Sequence, residues 1–384
     1  MRTIITAIIT ISLLNIFAQN KQQNITNQDF QNAGGRVTWL TFEETEKLSK
    51  VNKKPILISV HTEWCGWCKK MEVTTFKDPQ ITSYLNSYFY PIHFDAETSD
   101  TISFKGKIYT NPKPNTKRST HSLAPQLMGK SISYPTTILM DHNFQNAVVI
   151  PGFLSAKDIA SFLVFYKEEV NKSEDINNFR IDFDNTFSDK RPQIENKINF
   201  IDLQTALDQN ETAKKKIFIH FYEGNCISCK VMDSVTYSNP FIARYMNKNY
   251  LNVSFDINSQ DTIKYNGQYI LPSNEYLFNN FAVSVLKGKM KTPAIVFMNE
   301  ENKIIFPIQE YLNQNSFEAV MHYVNDGVFK EKQFNEFYTD FDSQLVTSKR
   351  VVNEINSALT ISNTKSSALI EIMKIINTNP VLFE

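Results

Sequence analysis

Hydrophobic and polar positions alternate along the chain in runs whose period switches between helix and strand. "FEETEKLSK" at 42–50 has the charged outer side of an amphipathic helix, and "PILISVH" at 55–61 is a β-branched run that predicts a buried strand. "CKKMEVTTF" reads as helix, broken at "KDP". "YFYPIHFD" then reads as a second strand, with Pro91 weakening its middle. "TISFKGKIYT" alternates about a glycine turn, the mark of a hairpin. A short helix at "SLAPQLMG" and strands at "TTILMD" and "AVVIPGF" follow. An amphipathic helix at "SAKDIASFLVFYKEEV" closes the pattern. This order is an α/β plan around a mixed sheet.

The pattern then repeats. Cys65 and Cys68 in "EWCGWCKKM" return as Cys226 and Cys229 in "GNCISCKVM", 161 positions later. The same offset carries Trp39 onto Phe200, "FD" at 94–95 onto 255–256 and "DTI" at 100–102 onto 261–263. After a net deletion of three residues, an offset of 158 carries Pro135 onto Pro293, Met140 onto Met298 and Leu154 onto Leu312. Two units therefore span 37–170 and 198–329. Residues 171–197 are polar and charged, which suits a linker. In the tail, 330–384, Phe334, Phe337, Phe341 and Leu345 recur at helical spacing and predict one or two helices packed on the second unit.

Composition changes this picture little. A length of 384 residues with 42% hydrophobic and 21% charged positions suits an ordinary globular chain of two or three domains. Forty basic and forty acidic residues cancel, and without a basic run a nucleic-acid partner is not indicated. The N-terminus changes more. Met1 and Arg2 precede an uncharged apolar run to Ala18, and a polar stretch follows. Residues 1–18 are thus expected to be a secretory signal peptide cut near Ala18, the alternative being an uncleaved anchor. No other segment reaches the roughly 18 apolar residues of a membrane span. The mature protein is expected to be exported to the periplasm, with no membrane contact after cleavage. In an exported chain, four cysteines confined to two tight pairs point to chemistry rather than to stapling.

A Cys-x-x-Cys pair between a strand and a helix has a definite chemistry. The first sulfur meets the unpaired N–H groups and dipole of the helix start, which favour a thiolate. The second, one turn inside, can attack a mixed disulfide. Trp64 and Trp67 supply an apolar rim for a peptide, and Lys69 and Lys70 add positive charge. A four-sulfur metal site is the competing reading, but its pairs usually stand ~15–20 residues apart. Here the pairs fall in separate repeats. No metal and no cofactor is expected.

"TEWCGWCKKME", "TF" and "DP" after it, and the later "YPT", resemble the thioredoxin superfamily. The resemblance is to exported thioredoxin-like proteins and to the periplasmic C-terminal domain of the disulfide-interchange transmembrane reductase, and it covers both units but not the tail. It implies two thioredoxin-like three-layer α/β domains in tandem, followed by a helical tail. Cys65 is then the attacking thiolate and Cys68 the resolving one, with Cys226 and Cys229 a possible second redox pair. The implied substrate-binding edge is Tyr134 with a cis Pro135, and in the second unit Thr292 with Pro293. Gly-Trp and Ile-Ser stand between the cysteines where thioredoxins carry Gly-Pro. Ser59 and His220 stand where they carry a buried acid. The expected activity is thiol–disulfide exchange on protein substrates, served by an upstream redox partner and left open as to oxidation, reduction or isomerisation. The alternative is a binding module that docks protein without turnover. "GNCISCK" lacks both tryptophans, so a passive disulfide remains open there.

Overall fold

The computed structural model describes residues 36–341, except 115, 130–131, 188–196 and 274–276, together with 343, 345, 372 and 373. The expected signal peptide and most of the tail lie outside the described residues. The chain forms two compact units that divide between Ala160 and Ser161.

In the first unit the helix α1 (Phe42–Val51) starts at a capping box. The Thr41 hydroxyl accepts the Glu44 N–H, and the Glu44 carboxylate accepts the Thr41 N–H at 2.8 Å. Strand β1 (Ile56–His61) follows, then α2 (Gly66–Val73), which carries the Cys pair at its start. Next comes α3 (Pro79–Tyr88), with Asp78 as N-cap and Pro79 in its first turn, where the missing N–H costs nothing. Strand β2 (Tyr90–Asp95) lies parallel to β1. The hairpin β3 (Ile102–Phe104) and β4 (Lys107–Tyr109) precedes α4 (Leu123–Met128). Strands β5 (Thr136–Met140) and β6 (Val148–Pro151) lead to α5 (Ala156–Lys167), inside which the division falls.

The sheet order is β2-β1-β5-β6, with β5 antiparallel to β1. The central β1 is covered on both faces, so Ile56, Leu57, Ile58 and Val60 are all buried and no alternation shows. Strand β2 is on the edge, which explains how it tolerates Pro91: that residue needs no N–H partner, and its carbonyl accepts Leu40 N–H at 2.8 Å. The β3–β4 turn puts Lys105 and Gly106 at φ 51° and 71°, the geometry of a tight hairpin. Phe104 from this hairpin packs edge-on to Phe42 and Phe144 in the core.

In the second unit, β7 (Phe200–Ile201), α7 (Leu203–Ala213), β8 (Lys216–Tyr222), α8 (Ile227–Val231), α9 (Pro240–Asn249) and β9 (Tyr250–Asp256) repeat the plan. The hairpin β10 (Ile263–Tyr265) and β11 (Gln268–Ile270), α10 (Asn280–Val285), β12 (Ala294–Met298), β13 (Ile304–Ile308) and α11 (Gln314–Asn325) complete it. Even the register repeats. Ser59 pairs His93 as His220 pairs Ser254, and Val60 pairs Thr136 as Phe221 pairs Ala294. The bridge Leu40–Ile92 becomes the short edge strand β7, where Ile201 pairs Val253. A difference lies after α8, which widens into a π turn over Met232–Thr236.

One expectation needs correction. Residues 171–197 are not a plain linker. Asp175 caps a helix, α6 (Ile176–Thr186), whose Phe179 and Phe183, one turn apart, are buried within the second unit. Phe179 stands edge-on to Tyr311, ring centroids 5.4 Å apart, and the Tyr311 hydroxyl donates to Asp182 at 3.1 Å. Polar composition hid two core residues at helical spacing. In the tail, α12 (Phe334–Asp340) packs Phe334 and Phe337 around Tyr323, but it ends before Phe341. Leu345 beyond it is helical again, is buried, and donates its N–H to Glu318 of α11 at 3.2 Å, so the described tail is helical and packs on the second unit as expected.

Candidate functional site

Cys65 and Cys226 occupy the same place in the two units. Each is the N-cap of a helix that follows a central strand, at φ/ψ of −75°/105° and −74°/103°. The Cys65 sulfur accepts the Cys68 N–H at 3.0 Å, and the Cys226 sulfur accepts the Cys229 N–H at 3.1 Å. Both pairs are closed as disulfides, with Cα atoms 5.3 Å apart. A sulfur so placed takes one of the free N–H groups at the helix start, and that donor stabilises a thiolate when the pair is reduced.

Around the first pair the surface is open. Trp64 and Trp67 are 53% and 58% exposed, while Cys65 and Cys68 between them are only 5% and 7% exposed. Trp64 stands edge-on to Tyr134 at 6.0 Å, donates its indole N–H to Glu97 at 2.9 Å and has the Arg118 guanidinium 5.0 Å from its ring. Trp67 packs against Phe153, and the Lys70 ammonium lies 4.8 Å from the Trp67 ring. The result is an aromatic rim with a cation on each side of the sulfurs. Pro135 follows a cis peptide bond, as expected for it, and Thr292–Pro293 is also cis.

Pro135 and Cys68 line one cleft of about 450 Å³, together with Ser59, His61, Thr62, Glu63, Glu72 and His93 among others. His61 and His93 stack face to face, ring centroids 3.7 Å apart. Burial, and after it the neighbouring His61, pushes the His93 imidazole down to about 4, and burial lowers His61 too. Both rings are therefore neutral at pH 7. Ser59, at the position of the expected acid, is buried on β1 directly opposite His93 on β2.

The second pair is more enclosed, with Cys226 3% and Cys229 2% exposed. Thr292 donates its hydroxyl to the Glu223 carboxylate at 3.2 Å, and Glu223 accepts the Cys226 N–H on its carbonyl at 3.0 Å. The 292–293 loop is thus tied to the turn that precedes the sulfurs. His220 is wholly enclosed, which pushes its imidazole down to about 3. Among the described residues, no group of three His, Cys, Asp or Glu side chains is placed to hold a metal ion.

The Thioredox_DsbH family model, described as "Protein of unknown function, DUF255", matches residues 22–158, and the Thioredoxin_2 model, described as "Thioredoxin-like domain", matches residues 203–325. The chain carries two thioredoxin-like domains in tandem. Among solved structures, a DsbH oxidoreductase is similar at 16% identity, over 34% of this chain and 84% of that one, with a TM-score of 0.25. A thioredoxin-fold protein from Helicobacter pylori is similar at 19% identity, over 41% and 87%, with a TM-score of 0.27. A thioredoxin from Thermus thermophilus is similar at 14% identity, over 33% and 87%, with a TM-score of 0.26. No curated protein matches the sequence. Two thioredoxin-like domains, each with a Cys-x-x-Cys pair, suggest thiol–disulfide oxidoreductase chemistry.

Several residues of the first domain's site escape sequence reasoning. His93 is visible only once β2 is paired in register with β1. Arg118, Glu97 and Phe153 reach the rim from three separate loops, and no spacing relates them to Cys65.

Proposed function

We propose that the protein is an exported thiol–disulfide oxidoreductase that acts on protein substrates, with Cys65 attacking and Cys68 resolving. The observation that supports this best is the Cys65 sulfur at the start of α2, taking the Cys68 N–H between two exposed tryptophans. In the reducing direction, the Cys65 thiolate forms a bond to one sulfur of a substrate disulfide, and the other substrate sulfur leaves as a thiolate. Cys68 then gives up its proton and attacks the Cys65 sulfur. The second substrate thiolate leaves, and the Cys65–Cys68 disulfide closes. A dithiol partner upstream reopens it, and a more oxidising partner runs the same steps backwards. The aromatic rim offers an extended peptide stacking surface, which suits protein rather than small-molecule disulfides. Export rests on the N-terminal run to Ala18, and N-terminal sequencing of the mature protein tests it.

The decisive experiment is reduction of insulin by the full chain with dithiothreitol as donor. Cys65→Ser is expected to abolish the catalysed rate. A Cys65→Ser chain that keeps this rate overturns the assignment. One that still binds unfolded peptide, from a parent with no turnover, identifies a docking module.

A further inference from the structure

The turn that follows α5 belongs to the second unit and lies against its Cys pair. Glu168 accepts the N–H of Ile227 at 3.1 Å and of Ser228 at 2.7 Å, through its two carboxylate oxygens. These residues directly follow Cys226, whose own sulfur takes the next N–H, from Cys229. All three donors at the start of α8 are therefore taken, two of them by a carboxylate. The neighbouring Glu169 pairs with Lys172 at 2.7 Å and with Lys291, which precedes the Thr292–Pro293 bond. The turn 168–172 is thus fastened both to the residues after Cys226 and to the loop before Pro293. In the first unit, the positions matching Ile227 and Ser228 are Gly66 and Trp67, both exposed.

We propose that Glu168 is a positioning residue for the second Cys pair: it holds the Cys226 thiol weakly acidic and covered, making that pair the slower and more reducing of the two. A sulfur attacks a disulfide only after losing its proton. A carboxylate on the two peptide N–H groups beside Cys226 repels the thiolate and removes donors that would stabilise it. The couple is a disulfide plus two electrons and two protons giving a dithiol. Above its midpoint Cys226 is ionised in the reduced pair, so there the loss of thiolate stabilisation weakens the reduced side and the potential falls. Burial pushes the Glu168 carboxyl up, against the pull of the two N–H donors. The other charges nearby in the chain are Glu223 before the pair, Lys230 and Asp233 after it, and Lys167 beside Glu168. This assignment rests on reading Cys226 and Cys229 as a redox couple. Its test reads thiol chemistry rather than turnover, so the two can fail separately.

The reduced full-length chain is treated with iodoacetamide across a pH series, and alkylation at each sulfur is quantified by mass spectrometry. In the unmutated chain the pH midpoint of Cys226 is expected above that of Cys65. In Glu168→Gln it is expected to fall by about one unit, with the Cys65 midpoint unchanged. Equilibration with reduced and oxidised dithiothreitol at a pH above both Cys226 midpoints should then shift about tenfold toward the reduced Cys226–Cys229 pair, or ~30 mV. A Cys226 midpoint at or below that of Cys65 in the unmutated chain overturns the proposal, and this comparison needs no substitution to fold. So does a Glu168→Gln chain that is folded and keeps both midpoint and potential. A purely structural Glu168 would lower the melting temperature and leave both where they were.

Discussion

Replacing Phe179 by alanine tests whether the segment after α5 is an integral part of the second unit. Phe179 is fully buried, with ring contacts to Phe165 at 5.7 Å, Phe183 at 6.0 Å and Tyr311 at 5.4 Å. Truncating such a side chain typically removes ~3–5 kcal/mol, of which the edge-on aromatic pair accounts for about 1. On the same helix Ile181 is 60% exposed, and Ile181→Ala should cost within ~0.5 kcal/mol. Urea unfolding of the full chain separates the two units by probe, because all three tryptophans (39, 64 and 67) lie in the first. Tryptophan fluorescence follows that unit, and far-ultraviolet circular dichroism follows both. With a slope of about 2 kcal/mol/M, Phe179→Ala should lower the dichroism midpoint of the second unit by roughly 1.5–2.5 M. It should leave the tryptophan transition nearly in place. If Phe179→Ala shifts the midpoint no more than Ile181→Ala does, α6 is a surface appendage. The turn bearing Glu168 would then have no firm support from it.

Two other measurements bear on the first domain. His93 has a folded pKa of about 4, below its unfolded value near 6.5, so the unfolded chain binds more protons between those limits. Stability of the first unit is therefore expected to be full above pH 6.5 and to fall toward pH 4. The loss is at most ~3 kcal/mol and nearer ~2, because the ring is partly exposed. His93→Asn should flatten that slope in urea titrations at pH 7 and pH 5, and an unchanged slope assigns the acid sensitivity elsewhere. Trp67 is largely exposed, so Trp67→Ala should change stability by about 1 kcal/mol or less. For a protein disulfide it should raise KM about tenfold with little change in kcat. A loss confined to kcat shows that the rim acts on the chemistry instead of on binding.

What could be read from the sequence is what depends on neighbours in the chain. The strand-then-helix setting of each Cys pair, the Lys-Gly and Asn-Gly hairpin turns and the 161-residue repeat all express local rules of period, capping and turn chemistry. So Cys65, Cys68, Cys226 and Cys229 could be set at helix starts, and Pro135 and Pro293 at the heads of buried strands, before any coordinates. Tertiary structure alone decided what surrounds the sulfurs. The β2–β1–β5 register brings His93 opposite Ser59 and draws Pro135 and Cys68 to one cleft, although they stand far apart in the chain. Burial then turns an ordinary histidine into a neutral one. The polar run after α5 concealed Phe179 and Phe183 because two apolar residues in a charged segment are too few to dominate its composition. Their burial depends on Phe165 and Tyr311, which lie 14 residues before Phe179 and 132 after it. Glu168 is the extreme case. It lies some 60 residues from Ile227 and Ser228, outside either repeat's active-site motif, and no spacing rule links a carboxylate to peptide N–H groups so distant. Only the folded chain closes that distance, because packing the apolar faces of α5 and α6 fixes where the turn between them must lie.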